Sequence, residues 1–384
     1  MANIFQIPKQ IIAGKEALQL SKVNLKTFGK KVLIVTDDVM VKLGNVKKLE
    51  DVLKEVEVEC VIYSGVNGEP TDKMVEEGIK IYKEEKCEFL IAIGGGSPID
   101  TMKAVGAMIT NPGNIRDYNG KIIENEPPVL VAIPTTAGTG SEATKVTIIT
   151  DTENNIKMLL QGGKLIPTLA IVDPVFTLTA PKGITAATGV DALTHAIEAY
   201  TSKKSFPLTD TFAISAVKKL FDNLVKVYKD GSDIKSREIV ATAATEAGIA
   251  FNNSSVTIVH GMSRPIGALF HVPHGLSNAV LLEKCLVFLK SGAIDKLVDL
   301  SKAIGVYTSE MTDEEAANKF IEAVSQLLKD LEIPTLEDLN IDKNVFFENI
   351  DKMANDALAS GSPANTRKSV SHKDIVSIYQ ELWG

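Results

Sequence analysis

Apolar residues follow two rhythms along this chain, and the change between them falls near residue 180. In the first half, short unbroken apolar runs recur as Val32-Leu33-Ile34-Val35, Phe89-Leu90-Ile91-Ala92-Ile93 and Val129-Leu130-Val131-Ala132-Ile133. A run that is apolar at every position has both faces covered, the habit of strands in a parallel sheet. Residues 56–62 alternate instead, with Val56, Val58, Cys60 and Ile62 set against Glu57 and Glu59, and predict a further strand. Between the runs, residues 72–85 bring Met74, Val75, Ile79 and Tyr82 onto one helical face. Strand alternating with helix predicts a doubly wound α/β domain.

After Asp173-Pro174 and Ala180-Pro181-Lys182-Gly183 the strand rhythm fades. Phe212, Ala216, Leu220, Phe221, Leu224 and Tyr228 then recur at helical spacing, and similar periods mark residues 239–250, 313–331 and 375–382. The second half reads as all-α. The expected division is therefore residues 1–182 and 183–384, with no repeat, low-complexity tract or long linker.

Composition narrows the function classes. A chain of 384 residues exceeds what one simple core organises, which agrees with two domains. With 41 basic and 49 acidic side chains, the net charge of -8 argues against a nucleic-acid surface. Cys60, Cys87 and Cys285 are too few and too scattered for a disulfide framework, so a reducing compartment is expected. The first residues lack the order of a signal peptide, and no apolar run approaches the roughly 20 residues that span a bilayer. The expectation is a cytoplasmic protein with no membrane partner.

Two loops carry candidate nucleotide chemistry. Gly94-Gly95-Gly96-Ser97-Pro98 lies where an apolar strand ends and a helix should begin. Glycine allows close backbone approach, and free N–H groups at a helix start suit a phosphate. A structural glycine turn is the alternative. Pro134-Thr135-Thr136-Ala137-Gly138-Thr139-Gly140-Ser141-Glu142 again follows an apolar strand. Two such loops at strand ends are what an open α/β sheet offers a ligand. Asp37, just past the first apolar run, could accept from a ribose 2′-hydroxyl and repel a 2′-phosphate, which favours NAD. A cap carboxylate is the other reading.

The second half holds the histidines. Asp191 and His195 are four apart in a helical stretch, and so share a face. They could be two metal ligands or one hydrogen-bonded pair. His260, His271 and His274 follow, so four of the five His fall in two short windows. Such clustering with an Asp is the signature of a metal centre. His372 reads as an exposed helix-start residue.

Taken in order, these motifs resemble the iron-containing, metal-dependent alcohol dehydrogenase family. The likeness rests on Gly94 to Lys103, Pro134 to Glu142, Gly189-Val190-Asp191-Ala192-Leu193-Thr194-His195-Ala196-Ile197-Glu198, His260-Gly261-Met262 and Pro273-His274-Gly275. It runs over essentially the whole chain. The resemblance implies a Rossmann-like N-terminal domain and an all-α C-terminal domain, the architecture shared with dehydroquinate synthase, with the site in the cleft between them. It implies metal ligands at Asp191, His195, His260 and His274, holding Fe²⁺ or alternatively Zn²⁺. It implies that Gly95, Gly96 and Ser97 receive the pyrophosphate of NAD, with Asp100, Thr135, Thr136 and Lys157 near the cofactor and Asp37 matching NAD preference. A homodimer or larger homo-oligomer is likewise implied.

The expected activity is interconversion of a short primary alcohol or diol and its aldehyde. One position departs from many relatives, where a second His follows His260-Gly261-Met262; here Ser263 and Arg264 stand. Arg cannot shuttle protons near neutral pH, which leaves His271, the cofactor ribose or water as routes. Arg264 is either bridged to a protein carboxylate or a clamp for an anionic aldehyde. A dehydroquinate synthase-like lyase and a non-catalytic nucleotide-binding module are the remaining alternatives.

Overall fold

Two structural cores explain the first rhythm. In the computed structural model, which describes residues 2–154 and 156–383, eight strands form: β1 (Gln10–Ala13), β2 (Lys31–Val35), β3 (Glu59–Tyr63), β4 (Phe89–Gly94), β5 (Leu130–Pro134), β6 (Val146–Asp151), β7 (Ile156–Gln161) and β8 (Leu169–Val172). Six make a parallel sheet in the order β1-β8-β5-β4-β2-β3. Alternate residues of each central strand serve opposite cores. Leu33, Val35, Leu90, Ala92, Leu130 and Ala132 enter one, while Val32, Ile34, Phe89, Ile91, Ile93, Val131 and Ile133 enter the other. That double burial is why these strands are apolar throughout.

The alternating segment behaves differently at its start. Val56 ends the helix Asn45–Glu55, and Glu57 takes a left-handed φ of 60°, so the strand begins only at Glu59. Residues 56–58 are a helix-to-strand turn in which Val58 is buried. Two features gave little periodic signal: the four-residue strand β1, and the antiparallel hairpin β6–β7, which lies outside the parallel sheet.

The backbone divides into two compact units, Gln6–Ala180 and a second made of residues 2–5 with 181–383. Phe5 belongs to the second because its ring stacks on Phe212 at 5.8 Å and meets Phe206 edge-on at 6.2 Å. Among its described residues this unit is built from helices, including Lys182–Thr201, Pro207–Lys229, Ile234–Asn253, Ile258–Phe270, His274–Leu289, Asp313–Asp330 and His372–Glu381. His372 opens the last of these behind the Ser371 cap, partly exposed. Among the described residues, no helix is long and apolar enough to cross a membrane.

Candidate metal centre and nucleotide loops

The Lys182–Thr201 helix is the central element of the helical unit, buried almost without a break from Gly189 to its end. A polar side chain in such a helix needs a partner or a ligand. Asp191, His195 and Glu198 supply the carboxylates and the imidazole of that stretch, spaced four and three apart, hence on one face. The Ile258–Phe270 helix brings His260, and the next helix brings His274 at its first position. Gly275 makes the last approach possible. A Cβ there would lie 2.4 Å from the Ala187 carbonyl oxygen, so only glycine lets this helix start press against its neighbour.

The result is one carboxylate and three imidazoles whose donor atoms all lie within 4.8 Å of one another. Asp191 Oδ1 is 3.7 Å from His260 Nε2 and 3.6 Å from His274 Nε2, and Asp191 Oδ2 is 4.0 Å from His195 Nδ1. Donors bound at about 2.1 Å around one tetrahedral ion sit about 3.4 Å apart. A small contraction would therefore close the cluster on a divalent cation. His195 Nδ1 is buried with no hydrogen-bond partner among the described residues, an orphan lone pair or N–H of the kind a ligand relieves. One hard oxygen and three imidazoles suit Fe²⁺ or Zn²⁺. Asp191, His195 and His260 are buried, while the His274 side chain is half exposed, which leaves the cluster one side open to solvent.

Electrostatics favours a cation. Burial alone would raise the Asp191 carboxyl, but the imidazoles of His195, His274 and His260 outweigh it and hold it far below the usual carboxylate range. Burial lowers His195 to about 3, against the opposing pull of Asp191. For His260 burial is again the largest influence, yet Glu198 and Asp191 together raise it to about 9. An incoming ion must displace that proton.

The α/β unit offers a second candidate site. β4 and β5 are adjacent and parallel with Gly94 opposite Pro134, and Thr135 N–H donates to the Gly94 carbonyl at 2.9 Å. Both small-residue loops therefore leave the sheet side by side. Gly94 has φ 156°, and a Cβ there would strike Pro98 Cγ at 2.5 Å, so the turn demands glycine. Gly95 is different. A Cβ there would meet Thr136 at an ordinary 3.6 Å, so packing does not explain its missing side chain. The Gly96–Thr110 helix that follows has no side-chain cap on its first N–H groups, and among the described residues no hydrogen bond engages the Ser97 hydroxyl. An uncapped helix start of this kind fits a pyrophosphate.

The iron-containing alcohol dehydrogenase family model matches residues 8–174, and the model of that family's C-terminal region matches residues 185–383. The chain belongs to the iron-containing alcohol dehydrogenase family. It is similar to the NAD-dependent methanol dehydrogenase of Bacillus methanolicus, with 38% identity over 87% of this chain and 88% of that one. It is also similar to the 1,3-propanediol dehydrogenase of Citrobacter freundii, with 35% identity over 99% and 98% of the two chains. A crystal structure of a 1,3-propanediol oxidoreductase superposes with a TM-score of 0.96 at 34% identity, each chain covered completely.

Within this iron-containing dehydrogenase the other expected positions fall as follows. Asp37 caps the short helix Asp38–Lys42, its Oδ1 accepting from Met40 N–H at 2.9 Å, which leaves Oδ2 without a hydrogen bond among the described residues. The Asp100 carboxylate accepts from the Ser141 hydroxyl at 2.5 Å and the Ile148 N–H at 2.9 Å. It thus fastens the second loop and the hairpin to the Gly96–Thr110 helix. Lys157 lies on β7 and pairs with Glu69 at 2.6 Å. His271 caps the Ile258–Phe270 helix with a left-handed φ of 55° and is exposed, outside the four-donor cluster.

Three residues were not singled out by sequence reasoning. Glu198, 1% exposed, accepts from Thr257 Oγ1 and Val259 N–H at 2.7 Å each and lies 2.5 Å from His260 Nδ1. It fixes which ring nitrogen of His260 faces Asp191. The Asn278 amide donates to Asp191 Oδ1 at 2.7 Å and lies 3.2 and 3.3 Å from the Nε2 atoms of His260 and His274. Lys103, fully buried, donates to Ser141 Oγ, to Thr144 O and Oγ1, and to Val146 O at 2.9–3.1 Å. It ties the second loop from below.

Proposed function

We propose that this chain is a metal-dependent, NAD(H)-linked oxidoreductase that interconverts short primary alcohols or diols and their aldehydes. The observation that carries the reading is the convergence of Asp191, His195, His260 and His274 from three helices, with donor atoms within 4.8 Å. Family membership and the small alcohols named in its relatives support it. In the bound state the metal supplies a Lewis acid at the alcohol or carbonyl oxygen, and the nicotinamide supplies the hydride acceptor or donor.

The chain's own residues do the rest. Asp191, His195, His260 and His274 hold Fe²⁺, or Zn²⁺ in its place. Glu198 keeps the His260 ring turned so that Nε2 faces the cluster. Gly95, Gly96 and Ser97 receive the pyrophosphate at the uncapped helix start, with Thr135 and Thr136 beside them, and Asp100 fixes that loop. Lys157, on the hairpin the Asp100 carboxylate anchors, lies near the cofactor in this reading. Asp37 Oδ2, left open by the cap, accepts from a ribose hydroxyl, which favours NAD over NADP. The half-exposed His274 opens the cluster to substrate and water, and exposed His271 exchanges the reaction proton with solvent. The enzyme works in the cytoplasm, where Cys87 and Cys285 remain buried thiols, and assembles as a homodimer or larger homo-oligomer.

The test is anaerobic reconstitution of the metal-free chain with Fe²⁺ or Zn²⁺, followed by NADH oxidation with aldehydes and NAD⁺ reduction with alcohols. Steady, chelator-sensitive turnover is expected. A net redox change separates this reading from a lyase that regenerates its NAD, and any turnover separates it from a binding module. A His274→Ala variant with unchanged metal content and activity would overturn the site.

A further inference from the structure

The chain has four arginines, and three are engaged by the protein. Arg116 pairs with Asp72 at 2.6 Å and Asp151 at 3.1 Å, and with Glu153. Arg237 donates to the Gly231 carbonyl and to Thr185 Oγ1, each at 3.0 Å. Arg367 Nη1 donates to both oxygens of Asp295 at 2.8 Å. Arg264 alone has no hydrogen bond or ion pair among the described residues, although it is half-buried. A guanidinium carries five N–H donors and stays charged at any ordinary pH. Leaving it partly desolvated with no counter-ion is costly unless something else offsets the charge.

Its position says what that partner is. Arg264 follows His260 by four residues on the Ile258–Phe270 helix. Residues so spaced share a face, and the later side chain leans back over the earlier turn. The stem of Arg264 therefore leads toward the His260 end of the donor cluster. The acid that bears on it is Glu198, whose oxygens already serve Thr257, Val259 and His260. A divalent ion would balance Asp191 and Glu198, leaving the Arg264 charge in excess.

We propose that Arg264 is the anion-binding residue of the substrate site, so that the preferred aldehyde or alcohol carries a carboxylate or sulfonate a short distance from its reacting oxygen. The planar fork suits either group in a two-pronged contact. This rests on the dehydrogenase reading and names its substrate class.

The test compares the metal-loaded wild type with Arg264→Gln and Arg264→Lys on glyoxylate, sulfoacetaldehyde and propanal. Losing a hydrogen bond to a charged group should raise KM for an anionic aldehyde about 10- to 100-fold in Arg264→Gln, with propanal KM little changed. Arg264→Lys, which keeps the charge without the fork, should fall between. Whichever anionic aldehyde shows the lower wild-type KM identifies the group. Equal effects on anionic and neutral aldehydes, or a wild type that takes propanal at the lowest KM, would overturn the proposal.

A second arm does not depend on turnover. The metal-loaded proteins are titrated calorimetrically with 3-hydroxypropanoate and with 1-propanol. If no aldehyde is reduced, the dehydrogenase reading fails. Weaker hydroxy-acid binding in Arg264→Gln would still establish the anion site. Binding that is equal in the two proteins, or absent from both, would remove it.

Discussion

Replacing Glu198 by Gln isolates the contribution of a residue that touches neither metal nor substrate. Glu198 Oε1 accepts from Thr257 and Val259, and Oε2 faces His260 Nδ1. An amide has one carbonyl oxygen and must choose. If it keeps Thr257 and Val259, its NH₂ faces Nδ1, which must then accept, and the ring proton moves to Nε2 where the metal should bind. If it turns its oxygen to His260, its NH₂ opposes the Val259 N–H, an obligatory donor. Either way one hydrogen bond to a charged group is lost, about 1.5–3 kcal/mol, or about 10- to 100-fold in affinity. That matches the range for outer partners of metal-ligating histidines. The assay is competition of metal-free protein against a chromophoric chelator for Zn²⁺, with metal stoichiometry measured at saturation. Glu198→Gln should bind one equivalent, more weakly by that factor, with unchanged helical circular dichroism. Affinity within about threefold of wild type, well below the loss of one such bond, would refute the argument.

Adjacent glycines should respond in opposite ways. Gly94→Ala, forced against Pro98 at φ 156°, should lose about 1–3 kcal/mol of stability in urea unfolding. Gly95→Ala, with only the ordinary Thr136 contact, should unfold like wild type yet bind NADH more weakly in fluorescence titration; unchanged NADH affinity would count against the pyrophosphate site. Lys103 gives a pH signature. Burial lowers its ammonium to about 8 from 10.5, so between those values the unfolded chain holds more protons and stability from this residue rises with pH. The unfolding free energy of wild type relative to Lys103→Met should therefore increase from pH 8 toward pH 10, measured by urea titration. A flat difference would place the Lys103 charge in a better solvated setting than its burial implies.

What could be read from the sequence depended on how each feature is held. β4 and β5 were legible because both faces of each are buried, so the apolar run is its own signature. β8, Leu169 to Val172, carries the same unbroken apolar run, whereas β1 was not legible, since four residues of mixed burial show no period, and the hairpin β6–β7 carries a mixed pattern, partly exposed on one face. The Val56–Val58 alternation misled because a left-handed Glu57 turns the chain there without breaking the apolar count. Chemistry was easier where residue types are rare: five His allow each to be weighed alone. Asn278 and Lys103 are common types whose roles exist only through contacts distant in sequence, 87 residues for Asn278 to Asp191 and 38 for Lys103 to Ser141. Glu198 was within reach. It lies three residues beyond His195 and seven beyond Asp191, on the same helical face. Its neighbours Ala196, Ile197, Ala199 and Tyr200 are apolar or aromatic. A carboxylate between such neighbours, on the narrow stripe it shares with Asp191 and His195, belongs with the candidate ligands rather than with a broad solvated face. It must answer a buried donor, and the histidines that follow in the next windows are the donors on offer.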